Sequence, residues 1–496
     1  MLQTSTAILL FATAACTCLH AADDEPTKYL RVAQRYADAI VEHGRDTYGS
    51  RHSGMLLSMM RRTKLDAFKS MPAAPSGIRQ GDRVTTHGSN VNLDQNVYRV
   101  LYALSELTDD PKYRQAADAA LSTFLEVSPS PETGFLAWGE HLCWDLKTEA
   151  WGTHETKAIH EPKRPTVLFD KFYELDAKTT IAYCDALWKH QIYTDTNGRK
   201  DGNFSRHAAY DKHDPRPNFD FPKEGGYFIH DWARAYGKTK DGRFLEYIDV
   251  LASRYLRKVK KTRNSLIEFD SVRGFADTSA SVSLAIDCDH AARLVPDGPV
   301  REKLLRLSRA IDKGLRRLPH DVAGRGFAQY VTVKDDFELY EHKQNGGYSV
   351  LWNMQYGRKT TAMIGVLFYR RFTQLPDGET KSWYRKLALQ AADKYATSDA
   401  DMEDRPWPLE IGTVMFLQLA AHELTGERVY LDRAKHFASV GMAAYWPDKR
   451  PLPRADPKCD HYENVTRADT LVLALLKLHA IERSLPIRID VSDVDR

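Results

Sequence analysis

The sequence predicts an all-α protein: an (α/α) toroid of helical hairpins, six- or seven-fold, whose long rim loops surround a central cleft. Three observations predict it. Apolar residues recur at three- and four-residue spacing through most of the 496 residues, while alternating stretches of useful length are scarce. Helix end, short polar turn and new amphipathic helix follow one another repeatedly. No Pro-, Gly- or Ser-rich linker divides the chain. At 43% hydrophobic and 28% charged residues the chain can bury a large core, and its formal net charge of +3 excludes a polyanion binder driven by bulk charge.

The elements follow in order. Residues 8–18 (ILLFATAACTC) are apolar but too short to span a bilayer. Small residues run to Ala21-Ala22 and the charged stretch DDEP follows, so residues 1–22 read as a secretory signal. A lipoprotein site at Cys16 is the lesser alternative. Residues 23–496 then form a single exported domain, periplasmic or secreted, with no membrane span, no nucleic-acid partner and a monomeric state. The four mature cysteines, Cys143, Cys184, Cys288 and Cys459, are far apart and contain no CxxC pair. That argues against a zinc cluster and leaves disulfides and buried thiols both open.

The stretch 91–107 places Leu93, Val97, Val100, Leu101 and Leu104 on one stripe of a helix. LSTFLEV, LASRYLRKV, ASVSLAIDCDHAARLV, VMFLQLAAHEL and DTLVLALLKLHAIERSL behave alike. Hairpin turns fall within 106–118, 236–249, 294–312, 374–393 and around 424–433, each holding the Gly, Pro or Asp that a helix stop and a new cap require. The spacing is unequal, which excludes a strict solenoid. YVTVKDDFELY (330–340) predicts a hairpin at the rim. Long polar loops cover 62–90, 128–172 and 196–225, where a site on a helical scaffold belongs.

Seven of the 18 histidines lie between His141 and His230. The loop 132–170 carries His141, His154 and His160 beside Glu140, Glu155 and Glu161, and NFSRHAAYDKHD sets Arg206 beside His207. Imidazole with carboxylate is the donor set of a metal site that keeps positions open for substrate. The plainer reading is that these rings bond backbone carbonyls. No GxGxxG, P-loop or GxSxG element occurs, which removes support from nucleotide-binding and serine-hydrolase readings.

GFLAWGEHLCWDL, then HEPKRP, then a separate Arg-His pair resemble polysaccharide lyase family 2, the pectate and exopolygalacturonate lyases. The resemblance covers about 132–210. It implies a toroid and β-elimination on a uronate polymer or oligomer, pectate foremost. It also implies a divalent ion, Mn²⁺ before Zn²⁺, held by His141, Glu161 and His207, with Glu155 a rival for Glu161. Arg206 is the implied Brønsted base. Arginine is an awkward base, since its ordinary pKa lies above about 12, and Lys163 is the alternative.

Substrate contacts are expected from Lys163, Arg164, Trp138 and Arg273, with Trp144 a further platform for a sugar ring. Two other readings compete. One is a glycoside hydrolase on the same toroid, drawing on Asp94, Asp145, Glu155 or Asp231. The other is a non-catalytic oligosaccharide-binding protein.

Overall fold

The computed structural model describes residues 27–262, 265–269, 274–333, 337–340, 347–354 and 358–490. The leader, Cys16 and Arg273 lie outside them. Fourteen α-helices are formed among the described residues. The first part of the chain gives α1 (Lys28–His43), α2 (Gln95–Thr108), α3 (Pro111–Val127), α4 (Phe169–Leu175) and α5 (Ala177–Ala186). The middle gives α6 (Pro222–Thr239), α7 (Arg243–Lys261), α8 (Thr278–Leu294) and α9 (Pro299–Leu315). The last part gives α10 (Thr361–Gln374), α11 (Glu379–Ala396), α12 (Pro408–Thr425), α13 (Arg428–Tyr445) and α14 (Ala468–Glu482).

Local chemistry fixes the hairpins. Asp109 ends α2 in the left-handed region, and the Asp110 carboxylate then caps α3 by accepting from Lys112 N–H. Lys240 and Gly426 end α6 and α12 in the same left-handed way. Proline opens α3, α6, α9 and α12, where its missing N–H costs nothing.

Burial separates the helices into two layers. α12 is buried without a break from Pro408 to Ala421, and α14 from Ala468 to Ala480. α7 instead buries one stripe that includes Phe244, Ile248, Leu251 and Tyr255. A helix apolar on every side belongs inside, and a striped one belongs outside. The packing agrees. α6, α8, α10, α12, α14 and α2 touch in succession as an inner ring, and α7, α9, α11 and α13 lie outside. α14 pairs with α1, and the short α4–α5 pair closes the ring between α3 and α6. This is the expected toroid.

Short strands trim the rim. Tyr330–Thr332 lies opposite Leu339 as the sequence predicts for 330–340, and it also pairs antiparallel with Phe275–Asp277, a partner strand the sequence does not announce. All four described cysteines are free and buried, which decides for thiols. Among the described residues no helix is long and apolar enough to cross a membrane.

Candidate active site

Three chain segments build the centre. Gly139 has φ of +112°, and a side chain there would collide with the Glu161 carbonyl. The glycine lets its strand lie beside Glu161, and Glu140 N–H donates to the Glu161 carbonyl at 3.0 Å. Asn90 clamps the same turn, donating to the carbonyls of Gly139 and Leu142 and accepting from Gly139 N–H. His160 and Ala208 then pair antiparallel, which puts Glu161 next to His207.

His160 and Glu161 are neighbours with opposite fates. The His160 ring stacks flat on Phe135 at 4.1 Å and is fully buried. Burial pushes its pKa down to about 3, so it stays neutral and structural. Glu161 is buried too, and burial alone would raise its pKa. Arg206, His207 and Lys163 outweigh that and hold it well below the usual carboxylate range.

Glu161 divides its two oxygens. Oε1 pairs with the Arg206 guanidinium. Oε2 faces two imidazoles, with His207 Nε2 at 2.9 Å and His141 Nε2 at 3.5 Å. His141 Nδ1 lies 3.0 Å from the Gly81 carbonyl, which can only accept, so Nδ1 carries the hydrogen and the Nε2 lone pair points inward. Glu161 Oε2 and His207 Nε2 are buried without a hydrogen-bond partner despite their approach. Two imidazole nitrogens and one carboxylate oxygen converge, with Glu161 Oε2 and His207 Nε2 unsatisfied, and the set fits a divalent cation.

A cavity of about 330 Å³ opens beside this centre. Its position follows from topology, because all six inner-ring helices aim their N-termini at it. Its lining includes Leu93 before α2, Glu224 at the start of α6, Asp277 before α8, Lys359 before α10, Trp407 before α12 and Arg467 before α14. Seven lining residues are Lys or Arg and five are Asp or Glu. The positive ends of the helix dipoles point the same way, so the cavity favours an anion.

The remaining expected residues divide sharply. Arg206 lies 4.4 Å over the Phe221 ring, its guanidinium 3.5 Å from Glu140 as well as paired to Glu161. Lys163 lines the cavity with its ammonium 2.6 Å from Glu140, and Arg164 lines it beside them. Glu155 approaches only the outer nitrogen of His141, at 3.8 Å, and is largely exposed. Trp138 corrects an expectation. It is wholly buried among Phe124, Phe172 and Tyr183, so no sugar ring can reach it, and its bulk fills the core. Trp144 pairs with Trp151 across a strand pair away from the cavity lining. Asp94, Asp145, Glu155 and Asp231, the carboxylates considered for a hydrolase, do not line this cavity.

Several lining residues carry no local signal in the sequence. Glu224 is fully buried with neither carboxylate oxygen hydrogen-bonded, and burial raises its pKa, aided by nearby Glu161 and opposed by Lys223 and Arg206. Lys223 joins it from the same helix start, Arg358 and Lys359 from just before α10, and Arg467 from just before α14. The one clue is positional, since each sits where a helix begins.

Comparison with known proteins bears out the resemblance seen in 132–210. The family model described as periplasmic pectate lyase matches residues 65–228, which contain His141, Glu161, Arg206 and His207. Among curated proteins, the pectate disaccharide-lyase of Dickeya dadantii (strain 3937) is 27% identical over 105 residues. That match covers 21% of this chain and 19% of the length of that protein. Solved structures align with the chain only at low similarity. A D-mannose isomerase aligns over 93% of this chain and 99% of its own at 8% identity and a TM-score of 0.47. An unsaturated glucuronyl hydrolase specific for heparin aligns over the same shares at 10% identity and a TM-score of 0.45.

Proposed function

We propose that this chain is an exported, metal-dependent polysaccharide lyase that cleaves a uronate polymer or oligomer by β-elimination, with pectate the leading substrate. One observation carries the reading: Glu161 offers one oxygen to Arg206 and the other to two inward-facing imidazoles, at the edge of a basic cavity. The match to periplasmic pectate lyase over 65–228 and the named lyase relative support it, as does the leader expected at 1–22.

The chemistry uses these groups directly. The C5 proton of a uronate is weakly acidic while the C6 carboxylate keeps its full charge. A divalent ion, Mn²⁺ foremost, held by His141, Glu161 and His207 would supply Lewis-acid neutralisation of that carboxylate. Lys163 and Arg164 orient the same group by charge. Arg206 takes the C5 proton. The freed electron pair becomes the C4–C5 double bond, the C4–O bond breaks, and the departing oxygen takes up a proton from solvent water. To accept the C5 proton, Arg206 must enter the step neutral, its guanidinium having already given up one proton.

Product absorbance is the test. A lyase acting on polygalacturonate makes a double bond conjugated to the carboxylate, and ultraviolet absorbance rises with new reducing ends. Reducing ends that appear without absorbance would replace the lyase with a hydrolase. Binding without turnover would leave an oligosaccharide-binding protein.

A further inference from the structure

The cavity holds two cations that the centre does not use. Arg358 and Lys359 precede α10 and line the wall shared with Lys223 and Arg164. Three other lining cations have a carboxylate close by: Arg206 has Glu161, Lys163 has Glu140, and Lys223 approaches Glu224 at 3.3 Å. Among the described residues the side chains of Arg358 and Lys359 make no ion pair, and Arg358 Nε is buried without a hydrogen-bond partner. The α10 N-terminus immediately follows, where Thr360 caps Met363 N–H and the helix dipole adds positive potential. Unpaired, desolvated cations are costly unless a ligand supplies the counter-charge.

We infer that Arg358 and Lys359 form a second carboxylate subsite, which grips a uronate next to the one held at the His141–Glu161–His207 centre and so selects de-esterified, multiply charged oligouronates. The inference rests on the lyase reading and deepens it by naming what distinguishes the substrate. The charged groups around Lys359 are Lys223 at the start of α6, Arg164 and Lys163 from the loop after Glu161, and Asp277 before α8, with Arg358 its neighbour in the chain. Burial, then Lys223 and Arg164, push the Lys359 pKa down to about 7, against the pull of Asp277. An anion binds the protonated form better. Affinity at this subsite is therefore full below about pH 7 and weakens as pH rises through it.

Calorimetry of trigalacturonate on the full-length, chelator-treated protein tests this without turnover. Lys359→Met should weaken binding about 10- to 100-fold, the loss of one charge-assisted contact. Lys359→Arg, which stays charged, should bind nearly as well as the parent and lose the fall in affinity between pH 7 and 9. Arg358→Met should weaken binding less. Fully methyl-esterified trigalacturonate should bind the parent and Lys359→Met alike. On the metal-loaded enzyme, Lys359→Met should raise KM with kcat changed less than about threefold. Equal trigalacturonate affinity in the parent and Lys359→Met overturns the subsite, while the lyase reading stands if unsaturated product still forms. Lys359-dependent binding with no unsaturated product overturns the lyase reading and keeps the subsite. Absence of any trigalacturonate binding overturns the subsite outright.

Discussion

The cavity has two unlike walls. One is a loop wall, made from 79–82, 139–164 and 205–207, where Arg206 pairs with Glu161, Lys163 with Glu140, and Arg79 with both Asp82 and Glu140. The other is a wall of helix starts, where Glu224 has no hydrogen bond to either oxygen and Arg358 and Lys359 have no ion pair among the described residues. A wall whose charges are mostly paired with one another keeps its geometry without a ligand, as electrostatic preorganisation requires. A wall with charge to spare draws a ligand in. On this view the loop wall governs the chemical step and the helix wall governs binding, and substitutions should separate the two.

The sharpest break comes at Glu161. Glu161→Gln keeps the shape but removes the charge shared by Arg206 and both imidazoles. Bound metal should be lost, and kcat should fall about 10³-fold or more, the scale of a lost Lewis acid worth several kcal/mol. Glu155→Gln, at the outer face of His141, should keep its metal. Elemental analysis of the two purified variants decides. If only Glu155→Gln loses metal, the centre is built on the wrong carboxylate.

Arg206→Ala comes next. A positioned base contributes about 10²- to 10⁴-fold in rate, so kcat should fall by that factor while metal content is unchanged. A loss seen mainly in KM, and recovered at high substrate, would make Arg206 a carboxylate clamp and move the base to Lys163.

Trp138 tests where the site ends. Trp138→Ala should cost about 3–5 kcal/mol of stability, as large aromatic truncations in a core do, with KM of the folded fraction unchanged. A raised KM with stability intact would return Trp138 to the substrate.

The last effect is on acid stability. His160 and His320 are buried neutral, with burial lowering their pKa values to about 3 and about 4 from an unfolded value near 6.5. The unfolded chain binds more protons than the folded one below about pH 6.5. Stability should therefore fall as pH drops from 6.5 toward 4, by up to about 1.4 kcal/mol per pH unit for each histidine. Denaturant titrations at pH 7 and pH 5 measure it, and equal midpoints would contradict the buried, neutral state of both rings.

The two walls also differ in how far the sequence reveals them. The hairpin turns, the toroid and the loop wall are local features: a capping Asp110, a Gly139 beside His141, an HEPK string. Each writes its chemistry into a few consecutive residues. Glu161 rather than Glu155 comes between the imidazoles because of the pairing of His160 with Ala208, a long-range contact that spacing only suggests. The helix wall is harder to read. Glu224, Asp277, Lys359 and Arg467 are spread over more than two hundred residues and meet only because the inner helices run the same way. Trp138 misleads for a related reason, since an aromatic residue beside a site motif looks the same in sequence whether its ring faces the cleft or the core.

One measurement bears on the central claim most directly. The parent protein is dialysed against a strong chelator, shown by elemental analysis to be metal-free, and assayed on polygalacturonate by the ultraviolet absorbance of unsaturated product. Mn²⁺ is then added back to the same sample. Loss of at least about 10³-fold in rate on removal, with recovery on addition, is the expected result. Full activity in the metal-free sample would contradict a metal centre at His141, Glu161 and His207.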